Sequence, residues 1–264
     1  MTLDVPASPP TDLDDVGPKL AEICEAAAAL ILPLWRSGLT VMSKADESPV
    51  TEADQRGEAL ILAALARAFP DIPVIAEEDS AAGGVPTQAP PRFFLVDPLD
   101  GTKAFVRGDP NFTVNIGLVE AGRIRAGAVV APPTGEAWFT TRAGSRKRIS
   151  GGAEEAVRVR RPPAGEVLGL ISHTAKPETV EALKEKYGFQ RTEAMDSSIK
   201  LCRIAEGAAD IYPRHGPTME WDIAAGHAVL LGAGGALAGL EGEPFLYAKS
   251  DKGFRNPGFI ARGG

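Results

Sequence analysis

Cysteine is nearly missing from this 264-residue chain, with Cys24 and Cys202 as its only two. Both sit in apolar stretches of helical spacing, which reads as reduced, buried packing rather than a disulfide. Histidine is equally scarce: His173, His215 and His227 lie too far apart in sequence to resemble a zinc motif. No apolar run approaches the ~20 residues of a transmembrane helix, and Met1–Pro6 lacks a basic segment followed by an apolar one. These absences predict a cytoplasmic protein without a membrane span. Positive charge is also in deficit. The net charge of −7 argues against a nucleic-acid or anionic-membrane partner, so a phosphorylated ligand would need local basic residues or metal ions.

Several motifs of nucleotide and nucleophile chemistry are missing too. There is no Gly-x-Ser-x-Gly elbow and no Walker A loop. The glycines of 232–239 miss the dinucleotide fingerprint, because its last glycine falls on Leu237. Haloacid-dehalogenase phosphatases place a second aspartate two positions after the nucleophile, whereas Asp100 follows Asp97 by three, which counts against an aspartyl-phosphate intermediate. No internal repeat or coiled-coil heptad occurs.

What is present is a globular composition, 44% apolar and 24% charged, on a chain long enough for one large domain or two ordinary ones. Its most informative run is Phe93-Phe94-Leu95-Val96-Asp97-Pro98-Leu99-Asp100-Gly101-Thr102. Four apolar residues predict a buried strand ending on two carboxylates, with proline and glycine forcing a turn after it. Asp-Pro and Asp-Gly are common turn formers, so alone the run need mean no more than a turn. It does not stand alone. Glu77-Glu78 closes the apolar run 73–76, Asp54 follows Thr51 at a helix start, and Asp222 heads an apolar helical stretch. Each has an ordinary explanation. Thr51 and Asp54 fit a capping box, a helix dipole favours Asp222 by ~0.3–1 kcal/mol, and the Glu pair could be a solvated strand end. Yet buried like charges oppose each other's ionisation, and a divalent cation removes that cost. Four acidic positions of this kind point to one magnesium site.

Periodicity predicts a first helix over 11–37 after a loose, proline-rich start at 1–10, and a second over 51–69 that stops before Pro70. Short strands follow near 73–76 and 93–97, separated by a Gly/Pro-rich loop at 81–91. An antiparallel meander covers 112–119, 124–130 and 137–141. The Gly-, Ser- and basic-rich stretch 143–156 reads as a domain junction. This divides the chain into an α+β half, 1–145, with an antiparallel sheet, and an α/β half, 146–264. In the second half strand and helix signals alternate over 167–172, 177–187, 197–206, 209–212, 222–232 and 236–240.

Three blocks carry a resemblance. Glu77-Glu78, Asp97-Pro98-Leu99-Asp100-Gly101-Thr102 and Trp221-Asp222-Ile223-Ala224-Ala225-Gly226 resemble, in order and spacing, the signature set of the inositol monophosphatase superfamily, over nearly the whole chain from about residue 15. Within it, Lys103, the runs 196–202 and 209–218, and Asn256-Pro257-Gly258-Phe259 are most similar to bacterial 3′(2′),5′-bisphosphate nucleotidases. The resemblance implies a layered αβαβα sandwich and a magnesium-dependent phosphomonoesterase that forms no covalent intermediate. It implies that Glu77, Asp97, Asp100, Asp222 and the Leu99 carbonyl hold two or three Mg2+ ions, with Glu78 behind them. Asp54, Glu77 and Thr102 would position and deprotonate the attacking water. Gly101, Thr102, Lys103, His173, Ser197, Lys200, Arg214 and Asp222 would contact a phosphorylated nucleotide. The chemistry agrees, since magnesium takes hard oxygen ligands and paired ions favour in-line displacement at phosphorus.

The reaction so implied is removal of the 3′-phosphate from adenosine 3′,5′-bisphosphate, with 3′-phosphoadenylyl sulfate as a second substrate, inhibition by lithium and a place beside sulfate assimilation. Its substrate contacts have plainer readings. Lys200, four residues after Asp196, could form a surface ion pair of ~0.2–0.5 kcal/mol. Arg214 could cap a strand end, and His173 could be structural. Two cations near Asp222 in an acidic chain nevertheless suit a substrate with a second phosphate. Inositol 1-phosphate or histidinol phosphate on the same scaffold stays the alternative. A non-catalytic phosphate-binding regulator has no need of Asp54 and Thr102. His215 receives no role, and nothing in the chain specifies an oligomeric state.

Overall fold

The computed structural model describes residues 16–37, 41–43 and 49–264; the segment 1–10 and the expected first turn 11–15 lie outside them. Helix α1 (Val16–Ser37) buries Val16, Leu20, Ile23, Cys24, Ala27 and Ile31, the spacing of one helix face. A two-stranded hairpin, β1 (Val41–Ser43) and β2 (Pro49–Thr51), leads into α2 (Glu52–Ala68). That helix starts at a capping box, in which Thr51 Oγ1 accepts the Ala53 N–H and Asp54 Oδ2 accepts the Thr51 N–H.

The main sheet takes its seven strands in chain order. They are β3 (Val74–Ala76), β4 (Arg92–Asp100), β5 (Thr113–Glu120), β6 (Arg123–Ala131), β7 (Glu136–Thr141), β8 (Gly144–Ile149) and β9 (Glu155–Ala156). All neighbours are antiparallel except the parallel pair β3 and β4. Two short helices interrupt the run, α3 (Glu77–Gly83) after β3 and α4 (Thr102–Val106) after β4. The stretch 143–156, expected as a junction, continues this sheet instead, and a boundary after residue 145 would cut β8. Its basic residues mark an ion-paired strand rather than a linker. Lys147 bonds Glu136 and Glu206, and Arg148 bonds Glu25.

A second sheet has the order β11–β10–β12–β14–β13, built from β10 (Leu168–Ile171), β11 (Arg191–Ala194), β12 (Ile211–Arg214), β13 (Ala236–Gly239) and β14 (Phe259–Arg262). It is mixed: β10 runs parallel to β11 and β12, whereas β14 is antiparallel to β12 and β13. Neither β11, a fully exposed polar edge, nor the short β14 gives a strand signal in sequence. Helices α5 (Pro177–Tyr187), α6 (Ile199–Ala205) and α7 (Glu220–Gly232) complete the layers.

Strands of the main sheet are apolar on both faces because both are covered. Phe94, Val96, Ile116, Val130 and Phe139 face α1 and α2, while Phe93, Leu95, Val119, Val129 and Trp138 join α6, α7 and the second sheet. A Cβ on Gly117 would stand 2.7 Å from the Ala224 Cβ, so glycine there lets α7 lie directly on the sheet. Cys24 and Cys202 are free and buried. Among the described residues, no helix is long and apolar enough to cross a membrane.

Candidate active site

Strand parity aims the first carboxylate. Phe93 and Leu95 point to the α7 side of the main sheet, and Asp97 continues that alternation. Asp222, third residue of α7, meets it there, with its Oδ2 accepting the Met219 N–H at 2.8 Å. Glu77 arrives from the adjoining strand end as the first residue of α3. Carboxylate oxygens of Glu77, Asp97 and Asp222 all lie within 4.8 Å of one another.

Asp100 joins them through a bulge. The β4–β5 register shifts between Asp97 and Asp100, Leu99 turns into the opposite core, and its N–H goes to Asp97 Oδ1 at 3.0 Å. Pro98 has no N–H to lose from the ladder. Proline therefore does not end this strand, as expected from sequence, but bends it, and β4 runs on to Asp100. Asp100 Oδ2 accepts the Ser198 N–H at 2.5 Å and the Asn115 amide at 3.4 Å. Gly101 follows with φ of 93°, and a Cβ there would stand 2.8 Å from Asn111 O, so both conformation and space require glycine. The Thr102 hydroxyl lies 3.1 Å from Leu99 O and 3.3 Å from Asp54 Oδ1. Asp54 thus both closes the capping box of α2 and neighbours Thr102.

Burial pushes the Asp97 carboxyl well up, and repulsion from Glu77, Asp100 and Asp222 adds to it. Burial does the same to Asp222, with Asp100 the next cause. Asp100 is held up to about 6, mainly by burial, although Lys200 and the Ser198 N–H oppose the shift. A set of carboxylates with a nearby carbonyl oxygen, each destabilised by its neighbours, fits a hard divalent cation.

Beside these acids lies a cavity of about 350 Å³, whose walls include Glu77, Asp100, Asp222, Gly101, Thr102, Ser197, Lys103, Arg107, Lys200 and Arg214. Lys200 is not a surface residue. It is 4% exposed, with Nζ 2.8 Å from Ser197 O and 3.2 Å from Met195 O, and burial pushes its amine down to about 8. Asp196 pairs with Arg107 at 2.6 Å instead. Arg214 bonds the Gly216 and Pro217 carbonyls. His173 is exposed and outside the cavity lining, although Ser172 and Thr174 on either side belong to it. Its ring nitrogen lies within 4.8 Å of Asp109 and Asp196, both of which Arg107 also pairs. His215 hydrogen-bonds Tyr187 and also lies outside the lining.

The Glu78 N–H is bonded to Glu58 Oε2. Glu58, Ser198, Asn115 and Arg107 escaped the sequence reading. Asn115 left a usable trace, a buried polar residue in an otherwise apolar strand, opposite Asp97 in register. Glu58 and Ser198 left none.

Layered sheets and helices surround an acidic centre, Glu77, Asp97 and Asp222, whose carboxylates could hold a metal ion. The sequence matches the inositol monophosphatase family over residues 12–259, and the chain belongs to that family. It is 41% identical over 229 residues to the 3′(2′),5′-bisphosphate nucleotidase CysQ of Escherichia coli, covering 84% of this chain and 88% of that protein. The crystal structure of CysQ from Bacteroides thetaiotaomicron, a bacterial member of the family, is similar with a TM-score of 0.76 at 32% identity, covering 95% of this chain and 97% of the other. An inositol monophosphatase from Thermotoga maritima shares the fold at 24% identity with a TM-score of 0.73, covering 92% of this chain and 89% of its own.

Proposed function

We propose that the chain hydrolyses the 3′-phosphate of adenosine 3′,5′-bisphosphate to AMP and phosphate, and also accepts 3′-phosphoadenylyl sulfate. The observation that carries this reading is the two-sided cavity, in which acids that suit a metal stand beside the cations Lys200 and Arg214. A monophosphate needs only the first; a bisphosphate uses both. Similarity to bisphosphate nucleotidases supports the same choice.

Glu77, Asp97, Asp100, Asp222 and the Leu99 carbonyl would hold two or three Mg2+ ions, which when bound supply charge neutralisation and a more acidic attacking water. The residues of the chain do the rest. The Thr102 hydroxyl, shared between Leu99 O and Asp54 Oδ1, orients the water, and Asp54 with Glu77 takes up its proton. The water oxygen attacks phosphorus, the bond to the 3′ oxygen breaks, and the leaving oxygen acquires a proton. Gly101, Lys103 and Ser197 line the cavity and would contact the substrate, and His173, outside that lining, would contact the remainder of the nucleotide. Glu78 buttresses Glu77.

Phosphate release decides the matter, measured with magnesium on adenosine 3′,5′-bisphosphate, inositol 1-phosphate, fructose 1,6-bisphosphate and histidinol phosphate, with and without lithium. The expected result is a kcat/KM at least about tenfold higher for the nucleotide, a preference of about 1.4 kcal/mol, abolished by chelator and lowered by lithium. Preference for inositol or histidinol phosphate would overturn the substrate, and no release from any would overturn the enzyme reading.

A further inference from the structure

We infer that Glu58 is the residue that positions Glu77, and that α2 thereby sets the water-holding and the metal-holding sides of the site as one rigid piece. Glu58 lies one helical turn after Asp54 on the same face of α2 and is 5% exposed. Its two oxygens take separate partners: Oε2 accepts the Glu78 N–H at 2.8 Å and Oε1 accepts the Asp79 N–H at 2.7 Å. These are the second and third residues of α3, and Glu77 is the first.

The first N–H groups of a helix have no acceptor within it. Ala76, which precedes α3, has no side-chain oxygen to offer, and no side-chain cap forms there. Glu58 supplies the missing acceptors from another helix. The Glu78 N–H belongs to the same rigid peptide plane as the Glu77 carbonyl, so holding it fixes the backbone from which the Glu77 side chain departs. That backbone delivers the Glu77 carboxylate to within 4.8 Å of Asp97 and Asp222.

A carboxylate is a costly choice for this task. Burial disfavours its charge, and Asp79 and Glu77 repel it. An amide would avoid the repulsion, yet it has one acceptor oxygen and would turn its NH2 on the second N–H. Only a carboxylate holds both. Four residues earlier on α2, Asp54 touches Thr102. One helix therefore carries both the proton acceptor and the support of a metal-side acid, and their separation is set by helix geometry rather than by loops.

The inference rests on Glu77 acting as a metal ligand. The test is calorimetric titration of the metal-free full chain with Mn2+, on wild type, Glu58→Gln and Glu58→Ala, with thermal unfolding of each in chelator. Glu58→Gln is expected to weaken Mn2+ binding about tenfold without lowering the metal-free unfolding temperature, because relief of the buried charge and of its repulsion from Asp79 and Glu77 offsets the lost acceptor. Its magnesium activation curve should shift by the same factor while kcat at saturating metal approaches wild type. Glu58→Ala should weaken binding further. Wild-type binding matched by Glu58→Gln would overturn the positioning role and leave the metal site standing. A metal-free unfolding temperature that falls along with affinity would also overturn it, as the mark of a purely structural carboxylate. Failure of the wild type to bind Mn2+ would overturn the metal reading beneath it.

Discussion

Replacing Asp100 by Asn should make the metal-free protein more stable and deprive the metal-loaded protein of part of its gain. In the metal-free fold Asp100 is held up to about 6 against an ordinary 3.8, chiefly by burial, with Glu77 adding repulsion against the relief from Lys200 and Ser198. The difference, 6 − 3.8 = 2.2, at about 1.36 kcal/mol per pH unit, puts the cost of the ionised group near ~3 kcal/mol at pH 7. Asn keeps an oxygen for the Ser198 N–H, so the charge goes and the hydrogen bond stays. For a chain of this size, each kcal/mol moves the unfolding temperature by about 2–4 °C, giving a rise of up to about 10 °C in chelator. The sign with pH follows from the raised value. The folded state takes the proton before the unfolded state does, so wild type recovers stability as pH falls from 6 towards 3.8, and its gap to the variant closes over that window. Saturating metal should then close most of the gap, because at 100 times its Kd an ion adds about 2.7 kcal/mol to the form that binds it. Thermal unfolding from pH 4 to 8, with chelator and with magnesium, measures all of this. A variant less stable than wild type in chelator at pH 7, or a gap undiminished at pH 4, would refute the electrostatic account.

Asp54→Asn should cut kcat by about 10²–10⁴ while substrate binding persists, because the amide cannot accept the water's proton; turnover at the wild-type level sinks the proposed mechanism. Lys200→Ala and Arg214→Ala should each raise KM for the bisphosphate far more than KM for a monophosphate, and equal effects on the two would show that no second phosphate is bound there. Burial holds the His227 imidazole down to about 4, next to the Tyr247 hydroxyl. Its unfolded value is 6.5, so the unfolded state binds the extra proton. Stability is therefore intact above pH 6.5 and declines down to pH 4, by about 3 kcal/mol from 6.5 − 4 = 2.5 pH units. His227→Gln should flatten that slope in thermal unfolding, and an unchanged slope would assign it to another group.

The sequence by itself determined the acidic blocks and the elements that carry them. Each block is local, and apolar runs bounded by Asp-Pro, Asp-Gly or a capping Thr are written within a few residues, so Glu77, Asp97, Asp100 and Asp222 could be singled out beforehand. Tertiary structure decided where they meet. Parity along β4 and the bulge after Asp97 bring two acids of one strand close enough to repel each other, a geometry that a three-residue spacing alone does not specify. It decided that Lys200 is buried rather than paired on the surface with Asp196, since helical spacing is silent about which face meets a partner. It placed His173 outside the cavity lining, and it carried the basic stretch 144–149 into a sheet in place of a junction. The supports were least legible. Ser198 reaches Asp100 from 98 positions away, and Glu58 reaches Glu78 and Asp79 from another helix. Contacts of that kind come from layers packing on one another, which brings together groups whose neighbours in sequence give no sign of the partner.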